Sequence, residues 1–120
     1  MKLLLSALCA LLMSVPVLAA PPTAMSCPLN GQPYSFKGSI LKIDVTSEGR
    51  LFYVVSAASC GDERHQIKVF PLAPVPACAV GRRAQASGLF GKSCTNSDQG
   101  PTCLAQLGLS SPYGAILSCN

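Results

Sequence analysis

Leu41, Ile43 and Val45 alternate with Lys42, Asp44 and Thr46, the two-residue period of a strand with one buried face. This strand is predicted to start near Phe36. Gly38 then marks either a bend in it or the end of the preceding loop. Ser47-Glu48-Gly49 follows, and a glycine able to adopt positive φ is what a short hairpin turn needs. Leu51 to Val55 is unbroken by polar residues, which predicts a second strand covered on both faces. Ile67 and Val69 alternate with Gln66 and Lys68, predicting a third strand from Arg64 to Phe70 that stops at Pro71. The segment PLAPVPA, Pro71 to Ala77, has too many prolines for a helix interior or a central strand, so it reads as a stiff connector. Val80, Ala84 and Ala86 predict a fourth strand from Cys78 to Gly88. The polar stretch Gly91 to Thr102 reads as a loop, Cys103 to Gly108 as one helical turn, and Tyr113 to Cys119 as a short fifth strand.

Upstream of Phe36 the pattern changes twice. Lys2 precedes an apolar run from Leu3 to Leu18, closed by small residues, which predicts a signal peptide over 1–19 with cleavage after Ala19. The run is too short for a membrane span and carries Pro16 near its end. Residues 20–35 hold Pro21, Pro22, Pro28 and Pro33 and show no period, so an extended lead-in is expected, tied down at Cys27. Residues 36–120 then form a single β domain, without repeat or linker. The expected location is the periplasm or the medium, with no membrane span after cleavage.

Cysteine content sharpens that picture. Cys9 leaves with the leader, and Cys27, Cys60, Cys78, Cys94, Cys103 and Cys119 remain. An even count in a small exported chain predicts three disulfides, because a domain of this size buries little apolar surface. Connectivity is open from sequence. Only Cys94 with Cys103 is favoured as a local pair, since Gly, Asn, Ser and Pro residues lie between them. Metal binding is not expected: no Cys-x-x-Cys pair occurs and His65 is the single histidine.

The residues Gly38-Ser39-Ile40 and Ile43, Leu51-Phe52-Tyr53-Val54-Val55, Ile67-Lys68-Val69, and Val80-Gly81 with Ala86-Ser87-Gly88 together resemble an OB-fold. The resemblance spans Phe36 to Cys119 and is closest to exported bacterial OB-fold proteins. It implies an all-β, five-stranded OB-like barrel stapled by three disulfides, with a disulfide-rich β-sandwich as the alternative. The prolines between strands three and four, where many OB-folds carry a helix, and the number of cysteines depart from the pattern. The resemblance further implies that the outer face of strands two and three holds an extended ligand. Tyr53 would stack there, and Arg64, Gln66 and Lys68 would donate hydrogen bonds. Phe52 competes with Tyr53 for that role, and either ring could instead belong to the core.

Catalytic chemistry finds few candidates. His65 stands beside Asp62 and Glu63 and could act as a general base, but no nucleophile elbow accompanies it. A solvated histidine at a strand's start is the expectation. No catalytic residue, metal or cofactor is predicted. Without Lys2 the charge is eight Lys and Arg against five Asp and Glu, and the basic residues are scattered except for Arg82-Arg83. These neighbours must face opposite ways if they lie on a strand. The expected role is therefore a non-enzymatic exported binding module, acting as a monomer on an unknown protein or on a small anionic or oligomeric ligand, and not on cytoplasmic nucleic acid. The alternative is a disulfide-stapled protein–protein interaction factor, such as an inhibitor of a secreted hydrolase, presenting Pro71 to Ala77 or the Cys94 to Cys103 loop.

Overall fold

A computed structural model describes residues 27–120. The leader over 1–19, Cys9 and the lead-in up to residue 26 lie outside the described residues. The first strand, β1 (Pro33–Val45), serves two neighbours in turn. Pro33 to Ser39 pair with the first half of β4 (Arg83–Ser97), and Ile40 to Val45 pair with β2 (Leu51–Ser56). The handover requires a bend, and Gly38 supplies it. A Cβ at that position would overlap the Ser56 carbonyl oxygen, so only glycine lets the two backbones approach this closely. The Ser39 N–H donates to Ser56 Oγ at 2.9 Å, and a register shift between Ile40 and Lys42 leaves Leu41 as the extra residue of a bulge.

From β2 the sheet continues antiparallel into β3 (Gln66–Val69), and β3 runs parallel to β5 (Gly100–Leu107) through Lys68↔Gln106 and Val69↔Leu107. β5 returns antiparallel along β4, and β4 meets β1. The ring β1-β2-β3-β5-β4-β1 is thereby complete. The fold is all-β, an OB-like five-stranded ring, and not two stacked sheets. A sixth strand, β6 (Ile116–Cys119), adds to the free side of β4. No helix occurs among the described residues.

Inside the ring lie Ile40, Tyr53, Val55, Ile67, Val69, Phe90 and Leu107, with Ala84 and Ala86 facing them from β4. Each fully buried large aliphatic side chain contributes about 1.5–3 kcal/mol. Three disulfides staple this core: Cys27–Cys60, Cys78–Cys119 and Cys94–Cys103. The first ties the segment before β1 to the β2–β3 loop, and the second ties the end of the proline connector to β6. The third joins directly opposed residues of the β4–β5 hairpin.

Several sequence expectations change. Leu41, Ile43 and Val45, expected on a buried face, are exposed. Gly91 to Thr102 is not a loop and Cys103 to Gly108 is not a helical turn; both belong to the β4–β5 hairpin. Its outer part, Lys92 to Ser97, is exposed on both faces, so it has no apolar alternation by which to announce itself. The fourth strand starts at Arg83, because Ala79 to Arg82 form a turn in which the Arg82 N–H donates to the Ala79 carbonyl. Tyr113 to Ala115 precede the last strand and are not part of it. There are thus six strands, one more than expected.

Candidate ligand-binding groove

Alternation along β2 divides its side chains between two environments. Tyr53 and Val55 point into the ring, while Phe52 and Val54 lie on the outer face, where Phe52, Val54 and Phe70 form a second small apolar cluster. Cross-strand pairing puts Lys42 and Lys68 on either side of Val54, and Asp44 beside Phe52. Lys42, Phe52, Val54, Arg64, Gln66 and Lys68 line a groove of about 400 Å3 on this face. Phe52 is its floor. The ring is only 8% exposed, because Lys68 Nζ sits 5.0 Å from its centroid, a cation–π contact, and Phe70 packs at 5.4 Å from the other direction.

Of the four residues expected to contact a ligand, Arg64, Gln66 and Lys68 come together in this groove. Tyr53 does not. It is 3% exposed, faces inward, and its hydroxyl accepts from the Val75 N–H at 2.9 Å. The uninterrupted Leu51 to Val55 run concealed which aromatic faces which way; the opposed pair Asp44↔Phe52 reveals it. Lys42 was missed as a groove residue, although hairpin geometry places it opposite Val54.

Arg64 is positioned by the β2–β3 loop. Asp62 Oδ1 accepts from the backbone N–H groups of Arg64 at 2.8 Å and Gln66 at 3.0 Å, a local turn that Asp side chains favour. His65 adopts positive φ, 61°. Glu63 Oε1 accepts from the Cys103 N–H at 2.7 Å, joining this loop to the β4–β5 hairpin. That bond, before all other causes, holds the Glu63 carboxyl below its ordinary value. The Asp62 and Glu63 carboxylates are thus both engaged with backbone, and neither is bonded to the His65 ring. On β1, the Val45 N–H and then Lys42 hold the Asp44 carboxyl low. Lys42 and Asp44 form a salt bridge at 3.2 Å. Arg64 and Lys68 have no carboxylate partner among the described residues, and no acidic side chain lines the groove.

Arg50 has a different task. Its guanidinium donates to the carbonyls of Leu109 at 2.9 Å and Gly108 at 3.1 Å and lies 5.3 Å from the Phe70 ring. It braces the loop after β5 against the outer apolar cluster. No helix among the described residues is long and apolar enough to cross a membrane.

No family model and no curated protein matches the chain. Among solved structures, a Plasmodium falciparum SSB in complex with ssDNA is similar, at 16% identity and a TM-score of 0.48, covering 81% of this chain and 99% of that one. That chain was solved bound to single-stranded DNA. The expectation that set cytoplasmic nucleic acid aside as a partner is corrected here by the groove itself. The scattered placement of Lys and Arg along the sequence had suggested no basic surface, but the fold gathers Lys42, Arg64 and Lys68 around one groove.

Proposed function

We propose that this chain is a non-enzymatic, exported binding module that holds a single strand of nucleic acid in the groove on the outer face of β1, β2 and β3. The observation that carries this reading is the Lys68 ammonium resting on the Phe52 ring, beside an unpaired Arg64, in a groove without acidic lining. Single strands are bound by cations that track the phosphates and by aromatic faces on which bases stack, the latter worth about 1–3 kcal/mol per base. Lys68 connects the two. A phosphate that draws the ammonium away exposes the ring to the base next to it. Three disulfides suit an oxidising compartment and a rigid scaffold, which supports export. Engagement of Asp62 and Glu63 with backbone supports a role without catalysis.

A second reading, a protein–protein interaction factor, has one observation in its favour. Leu72 in the proline connector and Tyr113 are 68% and 80% exposed.

Fluorescence anisotropy of a labelled oligothymidylate, titrated with the oxidised protein, tests the proposal. Binding should weaken steeply with salt, and the Arg64→Glu/Lys68→Glu variant should lose at least about tenfold in affinity. Failure to bind, or equal binding by the variant, contradicts it. So does equal binding to a linear sulfated dextran of matched charge density, since charge alone would then be read and not the base.

A further inference from the structure

The cations of the described residues divide by what they touch. Arg50 and Arg82 donate to backbone carbonyls, Arg82 to that of Asn120 at 2.9 Å, and Lys42 is paired with Asp44. Lys37, Arg64, Lys68 and Arg83 have no such partner among the described residues, and all four line one connected series of grooves. The candidate groove shares Leu41 and Arg64 with a second hollow of about 420 Å3, which passes over Ser39 and the small side chains of Ser56, Ala57 and Ala58. That hollow shares Lys37 and Arg83 with a third, of about 240 Å3, between β1, β4 and β6. No Asp or Glu side chain lines any of the three.

Strand register explains why Lys37 and Arg83 act together. Lys37 lies opposite Gln85, and Ser39 lies opposite Arg83. Lys37 and Arg83 are therefore diagonal neighbours on the outer face, about 7–8 Å apart. Their inward-facing neighbours Phe36, Ala84 and Ala86 keep both strands in place. Along β1, Lys37 is about 17 Å from Lys42 at roughly 3.3 Å per residue, less whatever the bend at Gly38 removes. Solvated surface cations have no need of a common path. Here all the unpaired ones except Lys92 share one, and no Asp or Glu side chain lines it.

We propose that the anionic strand does not end at the Arg64–Lys68 groove but continues across β1 onto the Lys37–Arg83 pair, so that the complete site takes a polyanion longer than the first groove holds. This rests on the binding reading given under Proposed function. Its occupant is argued from charge complementarity along the path. The first groove supplies the aromatic surface, and the extension supplies phosphate contacts only. The extension should therefore add affinity and salt dependence without adding base preference.

Oligothymidylates of increasing length, titrated against the oxidised protein and its Lys37→Gln/Arg83→Gln variant, separate the two ideas. On a long oligomer the variant should lose affinity several-fold, and the slope of log K against log salt should become shallower by about 1.4, or about 0.7 per lost phosphate contact. On a strand of about four nucleotides the variant should match the wild type. Lys92→Gln, which removes a cation outside the path, should leave the slope unchanged. Unaltered long-oligomer affinity and slope in the double variant would overturn the extension while leaving the first groove intact, as would an equal change from Lys92→Gln. If the wild type binds no oligomer of any length, the groove reading fails and the extension with it.

Discussion

The Tyr53 hydroxyl accepts from the Val75 N–H at 2.9 Å, and this bond fixes the proline connector across the ring. Val75 packs against the core at the same place. Tyr53→Phe keeps the ring and leaves the Val75 N–H without its partner. A lost bond to a half-buried backbone donor costs about 1 kcal/mol, toward the low end of the range for a fully buried one, so the variant should be less stable by about that amount in urea unfolding with the disulfides intact. Oligothymidylate affinity should not change. A change in affinity without a change in stability would place Tyr53 at the ligand after all.

Gly38 carries the bend on which β1's double pairing depends. The added Cβ of Gly38→Ala meets Ser56 backbone, which cannot move without opening β2. Overpacking of this kind costs about 1–3 kcal/mol or more. Thermal unfolding should show a clear loss in melting temperature. An unchanged midpoint would mean that β1 does not bend through this contact.

The disulfides should be unequal. Cys94–Cys103 spans 9 positions and Cys78–Cys119 spans 41. Loop-closure entropy alone then assigns about 2.7 kcal/mol to the first and about 4 kcal/mol to the second. Replacing both cysteines of each pair by alanine should therefore cost more for Cys78–Cys119, which also removes the fully buried Cys78. Equal costs in denaturant unfolding would argue against this ranking.

Acid should act through the loop that carries Arg64. The Cys103 N–H holds the Glu63 carboxyl below its ordinary value. A carboxylate with a depressed folded-state value contributes stability that is complete above the unfolded value and is lost as pH falls through the folded one. Melting temperatures of the wild type and Glu63→Gln, followed from neutral to strongly acidic pH, should differ in slope below the ordinary glutamate range, with the wild type falling further. Parallel curves would show that the Glu63–Cys103 bond contributes nothing in solution.

Much of the ring was legible in the chain because its strands announce themselves by period or by continuous apolarity. Leu51 to Val55 and Ile67 to Val69 face buried surfaces, and burial is what writes a pattern. Leu41, Ile43 and Val45 alternate as a strand does, but all three are exposed, so the alternation located the strand and not the buried face expected of it. The β4–β5 hairpin was hidden because Lys92 to Ser97 are exposed on both faces and are held by strand pairing and a disulfide, neither of which has a hydropathy signature. Arg64, Gln66 and Lys68 could be grouped from the alternation of one strand. Phe52 and Tyr53 could not be told apart, since a strand buried on both sides has no polar face to set the phase. Lys37 and Arg83 lie 46 positions apart and meet only through the β1–β4 register, which no local pattern contains.

The most direct measurement is an amide-resolved 15N–1H NMR titration of the oxidised protein with a short oligothymidylate. Shifts concentrated at Lys42 to Asp44, Phe52 to Val54 and Arg64 to Lys68 are expected. Shifts confined to the exposed Leu72 and Tyr113 region, or no shifts at all, would contradict a nucleic-acid groove on the outer face of β1 to β3.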